Sequence, residues 1–385
     1  MQIKKKEKIA VVIRSFWPYN PAIGEALLLL AESLSQNHEP IVITQVKNDF
    51  TEQLETQNRG KGVKFFTLPL WTNSASHMLL RVTDLVIFTG FTFASLVWSR
   101  PDKVYVATNP PLFTPLVVGI YCKLFHKKYL YHLQDIHPEI TCIKTIKKSF
   151  INKALKALDN FTVSNASKVV TLTEQTKAYT IKRVGKEISI ELLANPSVKT
   201  SGDEKRIKRT KGFVYCGNAG RLQRIPLLLQ AIERYVSEGG SLSFAFAGGG
   251  VYSKNIGQLA KKIENVTYLG VLSPDQASNL MHQYSYGLMP IEDEVTQYAF
   301  PSKSSSYLFS GCHIIAICGQ QTSVADWVLK NEVGYVADPN VESLVSLFHT
   351  LEKQPVSNLS IDPNLLESLT PEHHAQCLKD LIINI

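Results

Sequence analysis

The sequence has only six cysteines among 385 residues, and none of them form a C-x-x-C pair. No paired-thiol metal site or redox motif can therefore be read, and a reducing cytoplasm is the expected compartment. Long apolar runs are also missing. The apolar, uncharged stretch Leu85 to Trp98 has 14 residues, short of the roughly 18–20 needed to span a bilayer. Met1 to Lys8 is basic, but the apolar run behind it is short and holds Arg14, so no cleavable signal peptide is expected. No low-complexity tract or short repeat occurs. Neither glycine turn spells G-x-G-x-x-G with an acid about 20 residues on, which argues against an NAD-dependent dehydrogenase.

Hydrophobic residues make up 44% of the chain and charged ones 19%, the composition of a packed globular protein. At ~150 residues per domain the length allows two or three domains, and two large ones are expected. Lys and Arg number 41 against 33 Asp and Glu, a net charge of +8. This excess favours anionic partners. Charge alone leaves nucleic acid, phospholipid and sugar phosphates open.

A strand, a glycine turn and an amphipathic helix follow one another twice, once from Lys8 and again from Gly212. In the first half the expected strands are Lys8–Ile13, Pro40–Thr44, Val63–Leu68, Val104–Ala107, Tyr129–Leu133 and Lys168–Leu172, with Leu192–Pro196 running from strand to turn. Each is separated from the next by room for a crossover helix. The polar, charged stretch Thr200–Lys211 is the expected linker. Behind it come Gly212–Cys216, Ser243–Ala247, Val266–Tyr268, Gly287–Met289 and His313–Ile317. Such alternation argues two doubly wound parallel sheets of the α/β class, with domains at 1–200 and 201–370 and a terminal helix, 371–385, packing back on the first domain.

A strand that ends in glycines ahead of a helix aims backbone N–H groups and the positive helix end at one point, which suits an anion. Gly217-Asn218-Ala219-Gly220 is one such turn, although glycines of this kind also let a helix approach a strand. Gly248 and Gly249 end a second strand, and Pro301-Ser302-Lys303 opens a helix that continues through Ser306. Strand ends of a parallel sheet converge on one ligand. In the first half, Tyr131–Glu139 packs His132, Asp135, His137 and Glu139 behind a strand. These groups suit acid–base chemistry at a hydroxyl; the alternative for Asp135 and Glu139 is capping of the next helix.

With PPLFTPLVVGIYCKLF, YHLQDIHPE, FVYCGNAGRLQRIPLLLQA, FAFAGGG, FPSKSSSYLFSG and VGYVADP, the chain resembles family 4 of the glycosyltransferases over nearly its whole length. Nearest is the branch of fucosamine-type transferases of capsule and O-antigen assembly. The resemblance implies two facing Rossmann-like domains in the GT-B arrangement. It also implies a nucleotide-diphosphate sugar on the second domain, an acceptor on the first, and retention of configuration without a metal. No D-x-D triplet is present, so protein cations and helix ends would neutralise the diphosphate. Nucleotide-sugar is then a substrate, and no cofactor is expected.

Carried over by residue, Gly217 matches the phosphate-turn glycine, and Gly24 matches a glycine whose backbone faces the diphosphate. Val271 and Leu272 match the loop along which the base lies. Asp135 matches the strand-end aspartate and Glu139 the acid of the branch's proline–glutamate pair. Asn218 and Gln223 stand where many members carry arginine and lysine, so Arg221, Arg224 and Lys303 are candidate substitutes. The family's two glutamates eight residues apart are absent, and Ser306 falls at the second. Glu292 and Glu294 lie in the preceding loop. Asn195-Pro196 resembles an interdomain turn.

The reading is a transferase that moves a UDP-linked N-acetyl or deoxy sugar to a glycan or polyprenyl-diphosphate acceptor, with no nucleic-acid partner. A nucleotide-sugar 2-epimerase and a non-catalytic scaffold are the alternatives. The apolar run 85–98, together with lysines at 127, 128, 144, 147, 148, 153 and 156, points to peripheral attachment at the inner face of the cell membrane.

Overall fold

The computed structural model describes residues 6–72, 76–143, 150–198, 209–357 and 359–385. It divides into two compact units, Met1–Pro196 with Thr370–Ile385, and Ser197–Leu369.

In the first unit, among the described residues, seven strands form one parallel sheet: β1 Lys8–Ser15, β2 Glu39–Val46, β3 Lys64–Pro69, β4 Lys103–Ala107, β5 Lys128–His132, β6 Lys168–Thr171 and β7 Ile190–Leu192, in the order β3-β2-β1-β4-β5-β6-β7. Between them run α1 Ile23–Leu34, α2 Phe50–Thr56, α3 Met78–Ser99, α4 Phe113–Leu124, α5 Glu139–Cys142, α6 Phe150–Asn165 and α7 Glu174–Val184. Ile9 to Ile13 are fully buried, as expected of a central parallel strand covered on both faces. Thr173 opens α7 with a capping box, and Gly185, at a φ of 73°, closes it, satisfying end groups that the helix itself cannot.

The second unit repeats the plan with β8 Thr210–Cys216, β9 Ser243–Ala247, β10 Val266–Tyr268, β11 Tyr284–Pro290, β12 His313–Ile317 and β13 Gly334–Ala337, in the order β10-β9-β8-β11-β12-β13. Its helices are α8 Ile225–Ser237, α9 Ser253–Lys262, α10 Pro274–His282, α11 Lys303–Phe309, α12 Ser323–Lys330, α13 Val341–Lys353 and α14 Pro363–Ser368. Aromatic stacking fills the core: the Phe213 ring lies 4.9 Å from Phe244 and 4.7 Å from Phe348. In each sheet the order reverses beside the first strand, at β1/β4 and β8/β11. That reversal opens a crevice at the carboxyl ends of the strands.

The last helix, α15 Pro371–Ile383, belongs to the first unit. Leu378 and Ile382 are buried against the α1 side of its core, Lys103 Nζ donates to Ile383 O at 2.6 Å, and Lys379 Nζ donates to Ser33 O at 3.2 Å.

Three expectations differ from the structure. β13 was not expected as a strand. The strand expected at 192–196 is instead β7, which ends at Leu192. The 14-residue apolar run lies inside the 22 residues of α3, which is long and apolar enough to cross a membrane by length and composition alone. Of the expected linker, 200–208 lies outside the described residues, and Thr210 and Lys211 begin β8. Lys144, Lys147 and Lys148 of the expected basic patch lie outside the described residues too.

Candidate functional site

In the second unit the glycines at three strand ends are tied together. Gly217 N donates to Ala247 O at 2.9 Å, Gly248 N to Gly270 O at 2.6 Å, and Ala219 N to Gly249 O at 2.7 Å. The fit leaves no room for side chains. A Cβ on Gly248 would stand 2.0 Å from Gly217 O, and its φ of 126° is one that other residues rarely adopt. Gly249 lies against Val271, whose side chain is largely exposed, and Leu272 beside it is half-buried.

α11 brings Lys303 to this turn. Tyr307, one helical turn further on, packs its ring flat on Gly287 and donates to Leu288 O at 2.9 Å. The i, i+4 spacing then places Lys303 on the same inward face. Its Cε is 2.5 Å from where a Gly217 Cβ would be, and its Nζ sits 3.8 Å from the centre of the Tyr215 ring. Burial pulls the Lys303 ammonium down to about 7. A cation held over an aromatic face, beneath a glycine turn at the carboxyl edge of a parallel sheet, has chemistry that suits an anion.

The amides that replace the expected arginine and lysine converge here too. Asn218 Nδ2 and Gln223 Oε1 both crowd the Cβ position of Gly220, and Asn218 Oδ1 crowds that of Gly250. Pro301 accepts from Ser304 Oγ at 2.9 Å, and Ser302, at the helix entry, is exposed. Ser306 has no side-chain partner among the described residues.

Arg224, a candidate phosphate cation, is already engaged by its own unit. Its Nε donates to Ile291 O at 2.8 Å, and its NH2 pairs with Asp293 at 2.9 Å and Glu292 at 3.4 Å. The guanidinium thus holds the loop after β11 to the start of α8, and Glu292 is engaged in the same cluster. Arg221 is exposed on the turn, and so is Glu294 in its loop.

In the first unit Asp135 follows β5 at the carboxyl edge. It is partly exposed, has no charged or hydrogen-bonding side-chain partner among the described residues, and burial raises its carboxyl to about 6. A carboxylate in that range suits general base work near neutral pH.

Its neighbours do not join it. His132 is fully buried; its Nδ1 lies 2.7 Å from the Tyr105 hydroxyl and its ring 5.4 Å from that of His374 on α15. Burial drives its pKa well below the usual histidine value. The expectation of a reacting histidine fails, because the imidazole points into the core.

Glu139 is also taken up in a buried cluster. It meets Arg183 at 3.3 Å and Lys156 at 3.3 Å, and accepts from the Tyr179 hydroxyl at 2.6 Å. Burial alone would raise its carboxyl, but Arg183 and Tyr179 hold it below the usual value. Arg183 also pairs with Asp159 and donates to His137 O at 3.4 Å, tying α5, α6 and α7 to the Asp135 loop. This cluster escaped the sequence reading because its members lie far apart in the chain.

Gly24 is buried at the start of α1, where a Cβ would lie 2.6 Å from Trp17 N. What the structure shows there is close packing of helix on turn.

The chain is similar to the Pseudomonas aeruginosa protein described as "Probable glycosyltransferase WbjE", with 23% identity over 321 residues, covering 77% of this chain and 80% of that one. Solved structures match over nearly the whole length. WaaG, described as a glycosyltransferase involved in lipopolysaccharide biosynthesis, gives a TM-score of 0.63 at 12% identity, covering 97% of this chain and 99% of that one. The chain is a transferase of the GT-B fold.

Two further structures share the GT-B fold at low identity. The N-terminal domain of Candida albicans trehalose-6-phosphate phosphatase has a TM-score of 0.70 at 12% identity, covering 100% of this chain and 98% of that one. Anabaena HepE in complex with UDP has 0.57 at 13%, covering 98% and 95%. No protein-family model matches the chain.

Proposed function

We propose that the protein is a retaining, metal-independent glycosyltransferase of the family 4 type, close to the fucosamine-transferase branch. It moves an N-acetylated or deoxy sugar from a UDP donor to a lipid-linked or surface-polysaccharide acceptor, at the cytoplasmic face of the cell membrane. The observation that carries this reading is Lys303 beneath the Gly217 turn. It supplies a cation where a donor diphosphate would develop charge as the bond from the anomeric carbon to the phosphate oxygen breaks. Support for UDP comes from the HepE complex, support for sugar transfer from the WbjE relative, and support for a surface glycan from WaaG, described as acting in lipopolysaccharide biosynthesis.

Asp135 takes the acceptor-side role in this reading. Its carboxylate accepts the hydroxyl proton as the acceptor oxygen bonds to the sugar. With no D-x-D triplet in the sequence, protein cations stand in for a divalent ion, and activity should survive EDTA.

The test is thermal unfolding of the purified protein with UDP, GDP, and UDP- and GDP-sugars. Saturable protection by UDP and UDP-sugars is expected; no shift with any nucleotide overturns the donor assignment. Solvent deuterium entering the donor without acceptor would instead identify a 2-epimerase.

A further inference from the structure

The geometry points to Arg14 as the seat of a diphosphate carried by the acceptor. The inference rests on the acceptor role proposed for Asp135 and adds the group that holds the other end of that molecule. In the first unit the strand order reverses between β1 and β4, where the crevice of such a sheet takes its ligand. Arg14 stands at that point, next to last in β1. Its N–H donates to Asn109 O at 2.7 Å, just past the end of β4, and its carbonyl accepts from Thr44 Oγ1 of β2 at 3.1 Å. The backbone is thus pinned from both neighbouring strands.

The side chain is held from one side only. Nη2 spends both its hydrogens on the protein, donating to Asp84 Oδ2 at 2.7 Å and to Thr72 Oγ1 at 3.1 Å. Asp84 is fully buried, Gln45 Nε2 donates to its other oxygen at 2.7 Å, and the Thr72 hydroxyl donates to it as well. A guanidinium carries five N–H groups, so those on Nη1 and Nε remain, without a partner among the described residues. The Arg14 side chain is 22% exposed, and neither nitrogen is a buried unpaired atom. Both therefore open on solvent.

Neutralising Asp84 does not by itself call for arginine. A lysine could set one point charge against that carboxylate, whereas the planar guanidinium leaves donors over whose geometry matches phosphate oxygens. With its far end already fixed by Asp84 and Thr72, the side chain loses little further freedom when an anion binds.

Spacing selects the anion. From β1 through β4 to β5 is two strand steps, about 10 Å at the usual separation of neighbouring strands. Asp135, just beyond β5 on the same carboxyl edge, meets the acceptor hydroxyl in the proposed reaction. One sugar ring with a phosphate on its anomeric carbon spans such a gap. The acceptor that fits this edge is a monosaccharide joined to its carrier through a diphosphate, with a hydroxyl at Asp135 and the phosphates at Arg14. The donor diphosphate has a cation of its own in the second unit, Lys303.

Calorimetric titration of the UDP-saturated full chain with inorganic pyrophosphate and with farnesyl diphosphate tests this, since UDP fills the Lys303 site beforehand. A second, saturable binding event is expected with both probes. Arg14→Lys keeps a cation against Asp84 and should weaken that event at least tenfold, with UDP affinity within twofold of wild type. Asp84→Asn removes the counter-charge and should strengthen it at least threefold, a gain that misfolding cannot produce. Tighter binding of farnesyl diphosphate than of pyrophosphate supports a lipid carrier, and equal binding supports a soluble one. No second event in the wild type overturns the inference, as does a second event that Arg14→Lys leaves unchanged. Loss of UDP affinity in Arg14→Lys also overturns it, because the cation then serves the donor. Failure here with UDP protection intact leaves the transferase reading standing, whereas a wild type that UDP does not protect sinks that reading on its own.

Discussion

Lys303 Nζ sits 3.8 Å above the ring of Tyr215, and the two residues come from α11 and β8, far apart in the sequence. Lys303→Ala should weaken UDP binding at least tenfold, about 1.5–3 kcal/mol for a hydrogen bond to a charged group. Melting of the variant without ligand should change little. Isothermal titration measures this, and an unchanged dissociation constant would remove Lys303 from the phosphate site.

The same lysine predicts a pH dependence. Burial lowers its pKa to about 7, so the free site is cationic below that pH and increasingly neutral above it. A diphosphate favours the charged form, so binding takes up a proton. UDP affinity should be full below pH 7 and fall as pH rises toward 9, by at most about tenfold per unit. Titrations in two buffers of different ionisation enthalpy would show the proton uptake. Equal heats at pH 8 would contradict it.

Gly248→Ala tests the glycine stitching. The new methyl would stand 2.0 Å from Gly217 O on a backbone at φ 126°, so either the fold or the turn must give way. A loss of about 2–4 kcal/mol is expected, visible as a lower melting temperature together with weakened UDP protection.

Much of this fold is legible in the sequence, because buried parallel strands are continuous apolar runs and the turns after them need glycine. The Lys303 segment is legible for the same reason: it follows a strand and opens a helix. What escaped was decided by distant partners. The length of α3 was hidden because Asp84 interrupts the uncharged run, and that charge is tolerated only because Arg14, on another element, meets it. Arg224 looked like a free cation until the loop after β11 brought Asp293 to it. His132 looked reactive beside Asp135, yet the terminal helix closes over it with His374. β13 is a four-residue edge strand with too little pattern to register.

Asp135→Asn should lower kcat by about 10²–10⁴-fold, the usual contribution of a general base, with UDP affinity within twofold of wild type. Because burial raises Asp135 to about 6, the wild-type rate should climb as pH rises through 6 and level off above it. A rate unaffected by the variant would show that the acceptor hydroxyl is activated elsewhere.

Acid should loosen the seat of the terminal helix. His374 is fully buried, its Nδ1 lies 3.0 Å from Ala194 O, and burial lowers its pKa from 6.5 to about 4. His132, whose ring is 5.4 Å away, is lowered as well. The unfolded chain therefore takes up protons below pH 6.5 that the fold refuses until about pH 4. Stability is complete above 6.5 and is lost as pH falls through that window, by up to about 1.4 kcal/mol per pH unit for each histidine. His374→Phe cannot titrate at that position. Its melting temperature should start lower at pH 8, where the bond to Ala194 is missing, and decline less steeply between pH 6.5 and 4 than that of the wild type. Parallel curves for the two proteins would place the acid sensitivity outside this pair.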